Sequence, residues 1–111
     1  MMRLNAKIVC AAAMVLAACA GTLPEVSPAA VQRASALWPG IGDERLSAGR
    51  TLFIAKCSGC HSLPQPSLYS GDDWKVKLDE MAARAKLSRE ETEQIYQYLF
   101  STAKQTSAAR Q

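Results

Sequence analysis

The residues best suited to chemistry in this sequence stand together as Lys56-Cys57-Ser58-Gly59-Cys60-His61. Side chains three apart on a helical turn face the same way, so the Cys57 and Cys60 thiols can meet two vinyl groups of one porphyrin and form thioethers. His61 follows directly and can present its imidazole to the iron. Covalent attachment would keep the group in a chain too short to enclose it. Three other uses of these residues fit less well. A redox pair of the thioredoxin kind belongs beside a βαβ pattern, which the sequence lacks. A structural zinc site needs four ligands, and beyond the N-terminal segment the sequence supplies only Cys57, Cys60 and His61 from this pattern. A disulfide between Cys57 and Cys60 would leave His61 without a role. The expectation is one covalent haem c bound through Cys57, Cys60 and His61.

The other face of the iron needs a separate argument. His61 is the only histidine, so a second histidine ligand is excluded. Met1, Met2 and Met14 fall in the N-terminal segment, which leaves Met81 on the inner side of an expected helix. A thioether is a good iron ligand and raises the reduction potential. Helical methionines are commonly core filler, and a vacant position or a lysine such as Lys77 or Lys86 are the alternatives. The expected metal ligands are His61 and Met81.

The first 18 residues read as an export signal. Arg3 and Lys7 precede the apolar run Ile8–Ala18, which is short for a spanning helix of about 20 residues. Leu16-Ala17-Ala18-Cys19 resembles the lipobox of bacterial lipoproteins. That resemblance implies lipidation at Cys19, which would become the mature N-terminus. Ala20 lacks the aspartate that retains many enteric lipoproteins at the inner membrane, so the implied location is periplasmic, lipid-anchored at the outer membrane. Without Arg3 and Lys7 the chain carries 11 basic and 10 acidic residues, a balance of +1 against +3 for the full sequence. No basic stripe points to nucleic acid.

The elements that must position these groups read as helices. Residues 19–43 contain Pro24, Pro28, Pro39, Gly40 and Gly42, and are expected to be a linker. One short helix could begin with Ser27 as N-cap and Pro28 in the first turn, with Val31, Ala34 and Trp38 on one face. A domain over 44–111 then holds three helices. In the first, over about 44–58, Leu46, Gly49, Phe53 and Cys57 share a face. In the second, over about 72–84, Asp72 and Asp73 suit the N-terminus, and Trp74, Leu78 and Met81 mark the inner side. The third, over about 89–103, opens with the capping box Ser88-Arg89-Glu90-Glu91 and buries Ile95, Tyr98, Leu99 and Thr102. Residues 62–71 are loop, with Pro64, Pro66, Ser70 and Gly71. The fold class is all-α. Its size is marginal for a self-sufficient core, which a large flat apolar cofactor would supplement.

Residues 44–103 resemble the small bacterial class I monohaem cytochromes c. The resemblance rests on Gly49 and Phe53, the Cys57–His61 motif, Trp74-x-x-x-Leu78-x-x-Met81, and Ile95-x-x-Tyr98-Leu99. It implies a crossing of the first and last helices at Gly49 against Tyr98. It also implies a loop carbonyl, with Pro64 and Pro66 as candidates, that accepts from the histidine ring. Met81 follows His61 by only 20 positions, so the resemblance is to a trimmed domain with an exposed haem edge. With both axial positions filled, such a protein is an electron carrier rather than an enzyme. Its partners are redox proteins that dock transiently and the membrane that holds its anchor; no small-molecule substrate is expected. A five-coordinate gas sensor and a haem subunit of a larger oxidoreductase are the alternatives. Trp74, Tyr69 and Arg84 read as packing or surface rather than as ligands of the haem propionates.

Overall fold

In a computed structural model, which describes residues 22–59 and 62–105, four α-helices and one short 3-10 turn follow the sequence periodicities closely. The helices are α1 (Pro28–Ser35), α2 (Asp43–Cys57), α3 (Gly71–Arg84) and α4 (Arg89–Thr102), with the turn at Pro66–Leu68. No strand occurs among the described residues, and the all-α class is as expected.

Local chemistry sets the helix ends. Ser27 accepts from the Ala30 N–H, Ser70 from Asp73 and Ser88 from Glu91, so three hydroxyls satisfy amides that have no partner inside their helices. At α4 the box closes reciprocally, because the Ser88 N–H donates to Glu91 at 2.9 Å. That bond is the main cause of a Glu91 carboxyl held below its ordinary range. The end of α3 is a Schellman closure. The Leu87 N–H reaches the Ala82 carbonyl and the Lys86 N–H reaches Ala83. Lys86 sits there at φ 55°, a left-handed conformation usually filled by glycine.

Helix α4 is the centre of the domain, with α2, α3 and α1 all laid against it. The tightest approach is the α2–α4 crossing. A Cβ on Gly49 would overlap the Gln94 carbonyl and lie 3.0 Å from the Cβ of Tyr98. The expected crossing of Gly49 against Tyr98 is therefore present, and it works because the backbones touch where a side chain is missing. Leu46, Ile95, Tyr98 and Leu99 are fully buried around it.

The stretch expected as a linker behaves differently from a free tether from Thr22 onward. Leu23 is 5% exposed and belongs to the same core cluster as Phe53, Trp74 and Leu99. The Pro24 carbonyl accepts from the Tyr98 hydroxyl at 2.6 Å and from Arg50 Nε at 3.2 Å. Arg50 Nη2 also donates to the Leu23 carbonyl, and Arg33 of α1 donates to the Ser101 carbonyl on α4. Trp38 caps the far side, edge-on to both Tyr96 and Phe100, with its indole N–H on Glu93. Proline content suggested a tether. The buried Tyr98 hydroxyl and the Arg50 guanidinium instead need acceptors, and the carbonyls of this strap supply them.

The burial of α4 also exceeds the expected stripe. Gln97 and Ser101 are buried, because α1 and α2 cover a face that the sequence pattern left to solvent. Gln97 accepts from Arg45 Nε at 2.8 Å, and Ser101 Oγ donates to the Tyr98 carbonyl. Thr102, expected in the stripe, is only half-buried.

Replacing Gly49 with Ala should destabilise the fold. Alanine gains about 1 kcal/mol in helix propensity. Overpacking against a backbone carbonyl that cannot rotate away costs about 1–3 kcal/mol or more. Urea unfolding should show a net loss, whereas Lys86→Gly should raise stability by about 0.5–1 kcal/mol by relieving the left-handed conformation.

Candidate functional site

The last residue of α2 is Cys57, which is buried at 7% exposure. Ser58 is the C-cap of α2, and its N–H still reaches the Ile54 carbonyl. The position of Cys57 is thus fixed by a continuous helix clamped to α4 at Gly49, two turns upstream. Cys60 and His61 lie outside the described residues, as does Cys19.

Cys57 lines a small apolar cleft. Phe53 lines the same α2 wall, Leu99 of α4 contributes the floor, and Pro64 comes from the loop after the motif. The facing wall is α3, with Trp74, Lys77, Leu78 and Met81. Met81 is half-buried. The structure thus brings Cys57 and Met81 to one cleft, although they are 24 positions apart in sequence. Helical spacing explains the facing wall: Trp74, Lys77, Leu78 and Met81 recur at three- and four-residue steps. Among the described residues, no group of three or more His, Cys, Asp and Glu side chains could hold a metal ion by themselves.

An aromatic array fixes the depth of the cleft. Trp74 is 5% exposed and stands edge-on to Phe53 at 6.1 Å and to Tyr69 at 5.1 Å. Its indole N–H donates to the Pro66 carbonyl at 2.7 Å, a buried bond that pins the 3-10 turn to α3. That donor is therefore committed to structure. The same carbonyl accepts from the Tyr69 N–H. Pro66 thus serves two donors already, while Pro64 lies at the cleft. Arg84 is exposed.

The lining suits a flat apolar group. Every described lining residue except Lys77 is uncharged, the walls are aliphatic, aromatic or sulfur-bearing, and one thiol faces inward from a rigid helix end. Such a cleft has the chemistry to take a porphyrin face and one thioether, and Met81 brings a second sulfur-bearing side chain to its lining.

A small all-α domain with these features is a c-type cytochrome. A family model described as dihaem cytochrome c matches residues 53–111, more than half of the chain, and the chain belongs to that family. No curated protein and no solved structure matches it. Membership gives the chain haem c as cofactor and haem-mediated electron transfer as its activity. The family description speaks of two haems, whereas this sequence contains one Cys-x-x-Cys-His motif and a single histidine.

Lys77 is the cleft residue whose place the sequence reading did not foresee; it appeared there only as an alternative iron ligand. The available signal was its spacing of four from Met81, which places both on one helix face.

Proposed function

We propose that this chain carries one haem, held by thioethers to Cys57 and Cys60 with His61 and Met81 as axial ligands, and that it works as an electron carrier. The observation that carries this reading is the shared cleft of Cys57 and Met81. One attachment motif and one histidine argue for a single covalent haem per chain. The haem supplies a reversible one-electron couple. The protein supplies a rigid attachment point at the end of α2, an apolar wall that excludes water, and a sulfur donor on α3. With both axial positions filled the iron has no open site, which favours electron exchange at the haem edge over catalysis or gas sensing. Pro64 is the better candidate for the carbonyl that accepts from the His61 ring, since the Pro66 carbonyl already serves Trp74 and Tyr69.

The proposed setting is the periplasm, with lipid on Cys19 holding the protein at a membrane, the outer membrane being favoured by Ala20. Three residues separate Cys19 from Leu23, which is buried in the core. At about 3.6 Å per residue the acylated residue would lie no more than ~14 Å from that point. An anchored domain would therefore ride close to the bilayer rather than swing on a long linker. Redox proteins in or at the same membrane are the partners that geometry favours. Among the described residues no helix is long and apolar enough to cross a membrane.

Three measurements test this reading. Denaturing mass spectrometry of protein matured with a cytochrome c assembly system should show one haem added. Cys57→Ala should leave at most one thioether, and complete loss of haem from the wild type in acid acetone would refute covalent attachment. Met81→Ala should lower the midpoint potential and admit carbon monoxide while the thioethers still hold the haem. If the wild type binds carbon monoxide equally well and lacks the near-infrared band of methionine-ligated ferric haem, Met81 is not the ligand. Cys19→Ser should release the protein from membranes or stall its processing; an unchanged membrane fraction would count against the anchor.

A further inference from the structure

Lys77 is the single charged side chain among the described residues that line the cleft. It is half-buried, and its ammonium lies 4.2 Å from the centroid of the Tyr69 ring. Tyr69 stands edge-on to Trp74, so the cation is parked on the same aromatic array that fixes the cleft. Lys77 forms no ion pair among the described residues, although α3 also carries Asp72, Asp73, Asp79 and Glu80.

Lys75 is a natural contrast. It lies on the same helix, two residues earlier, and so about 200° around the axis. It is exposed, pairs with Asp79 at 4.0 Å and lies 5.5 Å from the Tyr96 ring. Both lysines are cations resting on tyrosines, but only Lys77 faces the cleft.

An ammonium beside an apolar wall loses hydration, and a ring face returns only part of it. A cation that lines an otherwise uncharged cleft is placed to meet a ligand that carries the opposite sign. Haem does so: its edge bears two ionised carboxylates. Lys77 is also one helical turn from Met81, on the same face, with about 5–6 Å between such Cβ atoms.

We propose that Lys77 is the haem-positioning and potential-setting cation of this cleft. Its ammonium compensates haem carboxylate charge and stabilises the iron after it gains an electron, so that the ferrous state is favoured. Because Lys77 is half-buried, its effect should be screened by salt less than that of an exposed charge. This rests on the haem reading above but not on Met81 being the ligand.

The test is a potentiometric titration of the haem-loaded full chain as wild type, Lys77→Gln, Lys77→Arg and Lys75→Gln, at low and high salt. Lys77→Gln should move the midpoint potential downward, and Lys77→Arg should keep it near the wild-type value. Lys75→Gln should move it less than Lys77→Gln does, and high salt should abolish its effect first. Lys77→Met, neutral and of similar length, should repeat the downward shift, which separates charge from packing. Equal potentials in wild type, Lys77→Gln and Lys77→Met would overturn the proposal. A changed axial-ligand spectrum in both neutral variants would overturn it too, because Lys77 would then be an iron ligand. Haem mass under denaturing conditions, measured on every sample, keeps the two readings apart: a wild type without covalent haem defeats the haem reading, whereas haem-bearing variants with equal potentials defeat only the role of Lys77.

Discussion

The contact between the backbones of α2 and α4 at Gly49 governs the rest of this structure. Because no side chain stands there, the Gln94 carbonyl and Tyr98 Cβ can press against α2. Cys57 lies two turns beyond the contact and is placed by it, and Leu99, one residue after Tyr98, becomes the floor of the cleft. The geometry of the cleft is in this sense inherited from a packing constraint that contains none of the chemistry.

A second constraint is the polar cost of burying α4. Tyr98 lies wholly inside, and burial pushes its phenol above the ordinary range, an effect that Arg50 partly offsets. Its hydroxyl needs an acceptor and finds the Pro24 carbonyl. Arg50 needs acceptors on the same edge and finds Leu23 and Pro24. The strap from Thr22 to Trp38 thereby becomes part of the domain. A core of this size gains most from every apolar group it can add, and Leu23 and the cluster of Trp38 with Tyr96 and Phe100 extend it. The exposed ion pairs Arg45–Glu90 and Lys56–Glu91 between α2 and α4 contribute little beside this.

The cleft pairs two kinds of wall. The α2 side is fixed by the Gly49 crossing. The α3 side is fixed by Trp74, whose ring packs on Phe53 and Tyr69 and whose N–H holds Pro66. That bond ties the loop following the attachment motif to the helix that bears Met81 and Lys77. Loop and helix must then move together, which suits a carrier: an electron-transfer site works best when gaining or losing one electron displaces few atoms.

Much of this was legible in the order of residues. Helical periodicity and the residues at helix ends marked α2, α3 and α4 within about a residue of their bounds, whereas α1 stops at Ser35, three residues short of Trp38; Cys57-Ser58-Gly59-Cys60-His61 pointed to haem attachment, because those groups are neighbours in sequence. The approach of Gly49 to Tyr98 was readable only through family resemblance. The strap's packing and the burial of Gln97 and Ser101 were not readable at all. Each depends on which helix covers which face of α4, and a single segment's pattern does not contain that information. Prolines in 22–43 record where the backbone lacks donors. They do not record that carbonyls on the same segment would be needed as acceptors by Tyr98 and Arg50, residues 74 and 26 positions from Pro24. Sequence determined the elements and the attachment chemistry, which are short-range properties. Tertiary structure decided which distant groups satisfy one another, because a buried hydroxyl or guanidinium can be paired only after the chain has closed around it.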